Sequence, residues 1–317
     1  MDVAPGVRAT RWQRALLIAS AAPFAGIVLA TSGGLWWAGE LCSHWTLHGA
    51  FALLPAAIVW RRQRLVGALA MVAILLGAVP WFVAAWEERA PGPTADQRHL
   101  RVLHANLRYG NPRPVSELPV LAGERFDLVA LVEAGVDDRA ALKRDPRWPH
   151  QAWHLPPPRR SDRPIIGNAL LSAHPIAWWT LREVDEEGII EAEVIVAGRA
   201  LRVIVGHPKS PMTPRRLASR QRQFAAITAI VSGSPLPVLT MGDFNCTVGS
   251  PAWRALHATS GLRRAAGIEP ATWPAPLGPF GIGIDHILVG NGASLSEVGA
   301  RWIGGSDHRA VVGTVGF

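Results

Sequence analysis

The sequence predicts a chain of two parts: an all-α membrane region of about three helices, followed by an α/β domain built on stacked sheets. Long stretches without a charged residue occupy residues 1–86, and 49% of the whole chain is hydrophobic against 18% charged. From residue 100 onward, short apolar runs alternate with turn signals, and few segments have a helical pattern. The first pattern is typical of membrane-spanning helices and the second of a mixed α/β domain.

The three apolar stretches of the membrane region are residues 15–39, 41–60 and 65–86, and none contains a charged side chain. About 20 apolar residues are enough to cross a bilayer as a helix, so three spans are predicted. The second has the weakest signal, because His44 and His48 lie near its start. A cleaved signal peptide is an alternative interpretation of the first stretch, although two further apolar stretches follow it directly.

Arginines on either side of these stretches predict the orientation of the chain. The loop between the first two stretches carries a single charged residue, Glu40, whereas basic residues cluster at the other ends. Because basic flanks favour the cytoplasm, we expect everything after the third stretch to lie outside the cytoplasm, anchored to the membrane. The arginines concerned are Arg8, Arg11, Arg14, Arg61, Arg62 and Arg64.

Residues 87–99 are predicted to form a linker, since they are charged and contain proline and glycine. Fully extended, such a linker would reach at most about 45 Å, which keeps the following domain, residues 100–317, near the bilayer surface. Two helices are predicted in that domain. The first has Thr213 as its N-cap and ends before Gly233, and the second starts at Ser250. Eight strands are predicted, at residues 100–107, 126–133, 167–176, 189–198, 200–208, 236–245, 284–290 and 310–317.

The net charge of +8 suits an anionic substrate or anionic lipid headgroups and does not require nucleic acid. The two cysteines, Cys42 and Cys246, fall in different parts of the chain, and we expect no disulfide between them.

Polar side chains stand where several predicted strands begin or end. Any one of them is more typical of a turn or a structural histidine, but their repetition indicates a site at one end of a sheet. Carboxylates gathered in this way repel one another unless a cation joins them, and oxygen ligands of this kind suit Mg²⁺ or Mn²⁺. The residues are Asn106, Glu133, His207, Asp243, Asn245, Asp285, His286, Ser306, Asp307 and His308.

The motifs that contain these residues are AN, VE, GH, GDFN, IDH and SDH, in this order. Together they resemble the endonuclease/exonuclease/phosphatase superfamily over roughly residues 100–317. The resemblance implies a four-layered α/β sandwich of the DNase I type and a metal-dependent hydrolase acting on phosphate ester bonds. The layout with an N-terminal anchor is similar to membrane-anchored bacterial members of the VanJ type, one of which is associated with undecaprenyl pyrophosphate.

The resemblance also implies roles for individual residues. It makes Glu133 the main ligand of Mg²⁺ (or Mn²⁺), supported by Asn106 and Asp307 directly or through water. Asp243 would orient and help deprotonate the attacking water, and Asn245 would bind a phosphate oxygen. The remaining catalytic residues would contact the phosphate or assist the leaving group, and they are His207 and the pair Asp285 and His308.

Three further residues are weaker candidates for substrate binding. Asn168 could contact a phosphate. Arg220 belongs to a group of arginines on the helix after Thr213, which either faces phosphate or forms a solvated surface. Trp273 lies with Phe280 in an apolar loop, residues 272–283, that either meets the membrane or packs on the domain. We expect His286 to be structural, because strand alternation points it away from Asp285.

Three functions remain compatible with these observations. The first is a membrane-anchored phosphoesterase that acts outside the cytoplasm on a lipid-linked phosphate or pyrophosphate, with the bilayer as its partner. The second is a membrane-tethered nuclease, whose substrate would be nucleic acid. The third is a non-catalytic interaction module, which the complete set of candidate catalytic residues argues against.

Overall fold

The structure, a computed structural model, describes residues 10–61, 63–113, 115, 118, 121, 123–156 and 165–317. Arg8 and Arg62, used above to predict orientation, lie outside the described residues. Four helices come first and form the helical region: α1 (Arg11–Ala30), α2 (Trp37–Ser43), α3 (Thr46–Trp60) and α4 (Arg64–Glu87).

The helical region presents apolar side chains outward. Ile18 of α1, Phe51 of α3 and Leu65 of α4 are among many large hydrophobic side chains that are mostly exposed. Two described helices, α1 and α4, are long and apolar enough to cross a membrane, and α2 with α3 would make a third span if counted together. The composition and length of these helices are compatible with membrane anchoring.

Two of the predicted spans differ from the helices observed. The first stretch does not remain helical to residue 39, because α1 ends at Ala30 and Gly34 takes a left-handed conformation (φ +82°). The second is a bent pair, α2 and α3, with 66° between their axes. The bend has a physical cause: Glu40 in α2 is ion-paired with Arg220 of the following domain, which holds α2 against that domain.

The rest of the chain forms two sheets. The six-stranded sheet has the order β10-β11-β1-β2-β4-β3, and the five-stranded sheet has the order β5-β6-β7-β8-β9. The pairs β1/β2 and β7/β8 are parallel, and the other pairs are antiparallel. The strands are β1 (His99–Asn106), β2 (Leu128–Gly135), β3 (His150–His154), β4 (Ile166–Ser172), β5 (Ile176–Val184), β6 (Glu187–Val196), β7 (Arg199–Gly206), β8 (Val238–Asp243), β9 (Asp285–Gly290), β10 (Ser294–Trp302) and β11 (Arg309–Gly316).

Apolar residues of both sheets meet in a central core, with Val102 and Ala130 on one side and Val203 and Leu239 on the other. Three α-helices follow α4 among the described residues: α5 (Val136–Leu142), α6 (Pro214–Ser232) and α7 (Pro251–Ser260). The helices α6 and α7 pack on the outer face of the five-stranded sheet. The predicted class, an α/β sandwich preceded by apolar helices, is confirmed, and the two sheets with their helices are called the sandwich below.

Helix α4 joins the sandwich without a free connection. Trp81 and Ala84 of α4 belong to the same apolar cluster as α6 and α7. Directly after α4, the Glu88 carboxylate accepts a hydrogen bond of 2.7 Å from the Trp253 indole, and the Ala90 amide donates one of 2.7 Å to the carbonyl of Arg264. The segment predicted as a linker therefore lies against the sandwich and is not an extended tether.

Candidate active site

The ends of the central strands bring the predicted residues together. Asn106 ends β1, Asp243 ends β8, and His207 follows directly after β7. The two parallel pairs point their carboxyl ends the same way, so these side chains reach one end of the sandwich. Asp285 lies opposite Asp243 in the register of β8 and β9, which adds a second buried carboxylate.

Asp285 and His308 form a buried carboxylate–imidazole pair. His308 Nδ1 lies 2.8 Å from one oxygen of Asp285, and the Nε2 atom of His104 lies 3.0 Å from the other. Burial alone would raise the pKa of Asp285, but His308 and His104 hold it well below its usual range. Burial would likewise lower the pKa of His308, but the two carboxylates, Asp285 and then Asp243, raise it to about 10. The pair therefore favours a charged imidazolium at neutral pH.

Sequence reasoning missed His104, which interrupts the apolar run of β1. The available signal was its spacing: His104 and Asn106 are two residues apart on one strand and so face the same side of the sheet.

Asp243 lies at the centre of the site. Its Oδ2 atom accepts a hydrogen bond of 3.0 Å from Asn106 and is 3.8 Å from His308 Nε2, while the backbone amide of Asn245 donates to Oδ1 at 2.8 Å. Burial and, next, the charge of Asp285 raise the pKa of Asp243 above its usual range. A carboxylate with a raised pKa is a better proton acceptor, as a general base requires.

Glu133 is more accessible than Asp243 and Asp285, with a quarter of its side chain exposed. It stands at a bulge of β2 and takes a left-handed backbone conformation, with φ of +54°. Its Oε1 atom accepts a hydrogen bond of 3.1 Å from the Asn106 side chain, and its Oε2 atom accepts one of 2.8 Å from the Tyr109 backbone amide. His207 Nε2 lies 3.9 Å from Glu133 and 3.7 Å from Asp243. Residues with a left-handed backbone conformation, such as Glu133, concentrate at functional sites.

The donor set fits a hard divalent cation. Glu133 offers carboxylate oxygens to the opening, and the carboxylate of Asp307 is half exposed, with the Trp273 indole 3.3 Å from its Oδ2 and Arg108 Nε 4.0 Å from its Oδ1. Asn106, also expected to support the metal directly or through water, lies between two carboxylates of the site. Its side-chain nitrogen faces both Glu133 and Asp243, while its oxygen accepts from the Arg108 amide, so it braces the carboxylates.

The structure does not bring Asn168 and Arg220 into the site as expected. Asn168 is buried and donates to the Gly188 carbonyl at 2.6 Å, so its amide supports the backbone between strands. Arg220 is fully buried, so its guanidinium faces neither a phosphate nor the solvent. Its charge is neutralised by an ion pair with Glu40. His286 is structural as expected, with contacts of 2.7 Å to the Cys246 carbonyl and 2.5 Å to Glu269.

A cavity of about 810 Å³ joins the site to the helical region. On the sandwich side it is lined by Asn245, Trp273 and His308, and on the other side mainly by small or apolar residues of α1 and α3. Asn245 is held there by its side-chain donation to the Pro208 carbonyl at 3.0 Å. Residues from the helical side include Ala22, Gly26 and Ala52.

Carboxylates and a charged imidazole gathered at one end of this fold are the groups that a metal-dependent phosphoesterase requires. The chain belongs to the Endonuclease/Exonuclease/phosphatase family, whose profile matches residues 87–308, more than half of the sequence. It is therefore a hydrolase acting on phosphate esters with Mg²⁺ (or Mn²⁺) as cofactor. No curated protein sequence matched the chain.

The alignments with solved structures of similar fold include nearly the whole length of those proteins but only about two thirds of this chain. Sphingomyelinase C from Streptomyces griseocarneus is 19% identical, with 69% of this chain and 99% of that chain covered and a TM-score of 0.52. A mannosyl-6-phosphatase from Bacteroides thetaiotaomicron is 16% identical, with 69% and 100% covered and a TM-score of 0.55. A beta toxin variant from Staphylococcus aureus with bound magnesium ions is 14% identical, with 68% and 99% covered and a TM-score of 0.51. At these identities the likeness concerns the fold alone.

Proposed function

We propose that this protein is a membrane-anchored phosphoesterase that hydrolyses a lipid-linked phosphate or pyrophosphate outside the cytoplasm. The observation that carries the proposal is the cavity, because one continuous space touches both His308 and the apolar sides of α1 and α3. A phosphate group bound beside His308 would leave its lipid tail between these helices. Ligand sites of this size are mostly apolar with a few polar groups, which suits a polyprenyl chain carrying a phosphate.

The proposed metal ligands are Glu133 and Asp307. The side-chain amide of Asn106 donates hydrogen bonds to both Glu133 and Asp243 and so fixes the spacing between these two carboxylates. The cation would neutralise charge on the phosphate oxygens, which otherwise repel a nucleophile.

The other residues handle the proton and the phosphate. Asp243 accepts the proton of the attacking water, as its raised pKa favours. His308, kept charged by Asp285, donates to a phosphate oxygen, and His207 does so from the other side of Asp243. The side chain of Asn245, at the cavity wall, completes the binding of the phosphate.

The proposed orientation draws support from the contact between α2 and the sandwich. The basic flanks predict that the loop around Glu40 and the sandwich lie on the same side of the membrane. Glu40 is ion-paired with Arg220 of the sandwich, as that arrangement requires.

The test compares two substrates on the full chain in detergent with Mg²⁺. We expect phosphate release from a polyprenyl pyrophosphate, abolished by EDTA and by Asp243→Ala. Nicking of plasmid DNA with no action on the lipid would instead establish the nuclease.

A second variant tests the cavity as the tail site. A Cβ at Gly26 would meet nothing within 4 Å, and Gly26 lines the cavity, so Gly26→Phe places a ring in that space. We expect it to lower lipid hydrolysis about tenfold or more and to spare bis(p-nitrophenyl) phosphate, a soluble ester. Ile18→Phe is the matched control, since Ile18 is on the same helix but 76% exposed. Equal loss in both variants would refute the tail site.

A further inference from the structure

A buried ion pair connects the helical region to the sandwich. The side chains of Glu40 in α2 and Arg220 in α6 are both fully buried, and a guanidinium nitrogen of Arg220 donates to Glu40 Oε1. Ser250, the N-cap of α7, donates its hydroxyl to the same carboxylate oxygen. The surroundings are tight: a Cβ on Gly33 would come within 3.0 Å of Glu40 Oε2. Among the described residues, no other acid lies within ion-pairing distance of Arg220.

The same guanidinium of Arg220 also contacts the loop that follows Asp243 and carries Asn245, called the catalytic loop here. Its second terminal nitrogen, Nη1, donates a hydrogen bond of 2.6 Å to the backbone carbonyl of Asn245. Asn245 needs such support because it takes a left-handed conformation, with φ of +49°. Arg220 thus contacts α2 with one nitrogen and the loop after Asp243 with the other.

From this geometry we infer that Glu40 of α2 is a positioning residue for the active site, acting through Arg220 on Asn245. A buried guanidinium without its carboxylate must find water or another acceptor, and either move withdraws it from the Asn245 carbonyl. The helical region therefore completes the catalytic loop as well as anchoring the enzyme. The inference concerns hydrolysis of any ester, so it stands apart from the lipid substrate proposed above.

A sharp test needs a matched control, and Glu88 supplies it. Glu88 is also a buried acid where the helical region meets the sandwich, 3.4 Å from Arg264 and bonded to Trp253, but it bonds to neither Arg220 nor Asn245. The full chain in detergent, with Mg²⁺ and bis(p-nitrophenyl) phosphate, would be assayed as Glu40→Gln and Glu88→Gln, with melting temperatures measured in parallel.

We expect both variants to lose stability but only Glu40→Gln to lose turnover. Its kcat should fall roughly 10- to 100-fold, as for a small misplacement of a catalytic group, while Glu88→Gln stays within about twofold of the parent. The Mg²⁺ concentration for half-maximal activity should be unchanged in both. Equal kcat values in the two variants, at equal folded fraction, would overturn the inference.

A double variant covers the case in which Glu40→Gln does not fold. Replacing the whole pair by apolar residues, Glu40→Leu with Arg220→Met, leaves no lone charge and is expected to preserve folding. It also removes the Arg220 donor to the Asn245 carbonyl, so the kcat of the folded double variant should stay below that of the parent. A folded double variant with the parent's kcat would show that the pair is structural only.

Discussion

Replacing Asp285 by Asn tests the electrostatics of the site most directly. The substitution keeps the shape of the side chain but removes the charge that contacts His308 at 2.8 Å. His308 has a pKa raised from 6.5 to about 10. At about 1.4 kcal/mol per pKa unit, that rise corresponds to roughly 5 kcal/mol in favour of the imidazolium, and Asp285 is the largest favourable contributor.

The sign of the effect follows from the direction of the shift. The imidazolium is present below the pKa of His308 and is lost as pH rises through it, so the parent enzyme should stay active well above neutral pH. In Asp285→Asn, burial lowers the pKa of His308, and only the smaller effects of Asp243, at 3.8 Å, and of Asp307 oppose it. We expect the decline in kcat/KM on the alkaline side to move down by about two pH units or more.

The assay is a pH profile of kcat/KM on bis(p-nitrophenyl) phosphate at saturating Mg²⁺. Glu269→Gln is the matched control, because Glu269 forms a second buried pair with His286, whose ring bonds to Glu269 and to the Cys246 carbonyl and not to His308. Its profile should be that of the parent. An alkaline limb that stays in place in Asp285→Asn would refute the role assigned to His308.

Three further predictions concern the metal, the membrane and the orientation. Glu133→Gln should raise the Mg²⁺ concentration for half-maximal activity about tenfold or more, since a proposed carboxylate ligand is lost. A Mg²⁺ titration checks this against Glu124→Gln, a partly exposed acid that pairs with Arg101 and Arg301, and equal requirements would exclude Glu133 as a ligand. Phe280→Ser should weaken action on lipid in vesicles without affecting the soluble ester, because Phe280 is 75% exposed beside α3. Trp179→Ser, an exposed aromatic residue on the edge strand β5, is its control, and the idea fails if both behave alike. A reporter fused after Phe317 should be active only outside the cytoplasm, and cytoplasmic activity would reverse the proposed topology.

The central strands were predictable from the sequence because both of their faces are buried. The strands β1, β2, β7 and β8 are mostly apolar and lead to polar residues, so both the strands and the site at their ends could be identified. The missed strands, β3, β5 and β10, are all edge strands of the two sheets. Most of β5 is exposed, so its sequence need not alternate between apolar and polar residues.

Contacts between distant segments were beyond the reach of the sequence. Arg220 belongs to a helix rich in arginine, and nothing local distinguishes it from its solvated neighbours. Only the folded chain shows that Glu40, 180 positions earlier, lies against it. The break between α2 and α3 has the same origin, because the apolar composition of residues 41–60 does not reveal a tertiary contact that bends the chain.

The close attachment of α4 to the sandwich, with no flexible linker between them, has a consequence for how the enzyme would meet its substrate. With Glu88 and Ala90 bonded to the sandwich directly after α4, the catalytic end is held in a fixed position relative to α4, one of the helices proposed to anchor the enzyme. In a bilayer such an enzyme searches in two dimensions. Its rate should follow the mole fraction of substrate within the surrounding leaflet, and diluting the vesicles in buffer should leave that rate per enzyme unchanged.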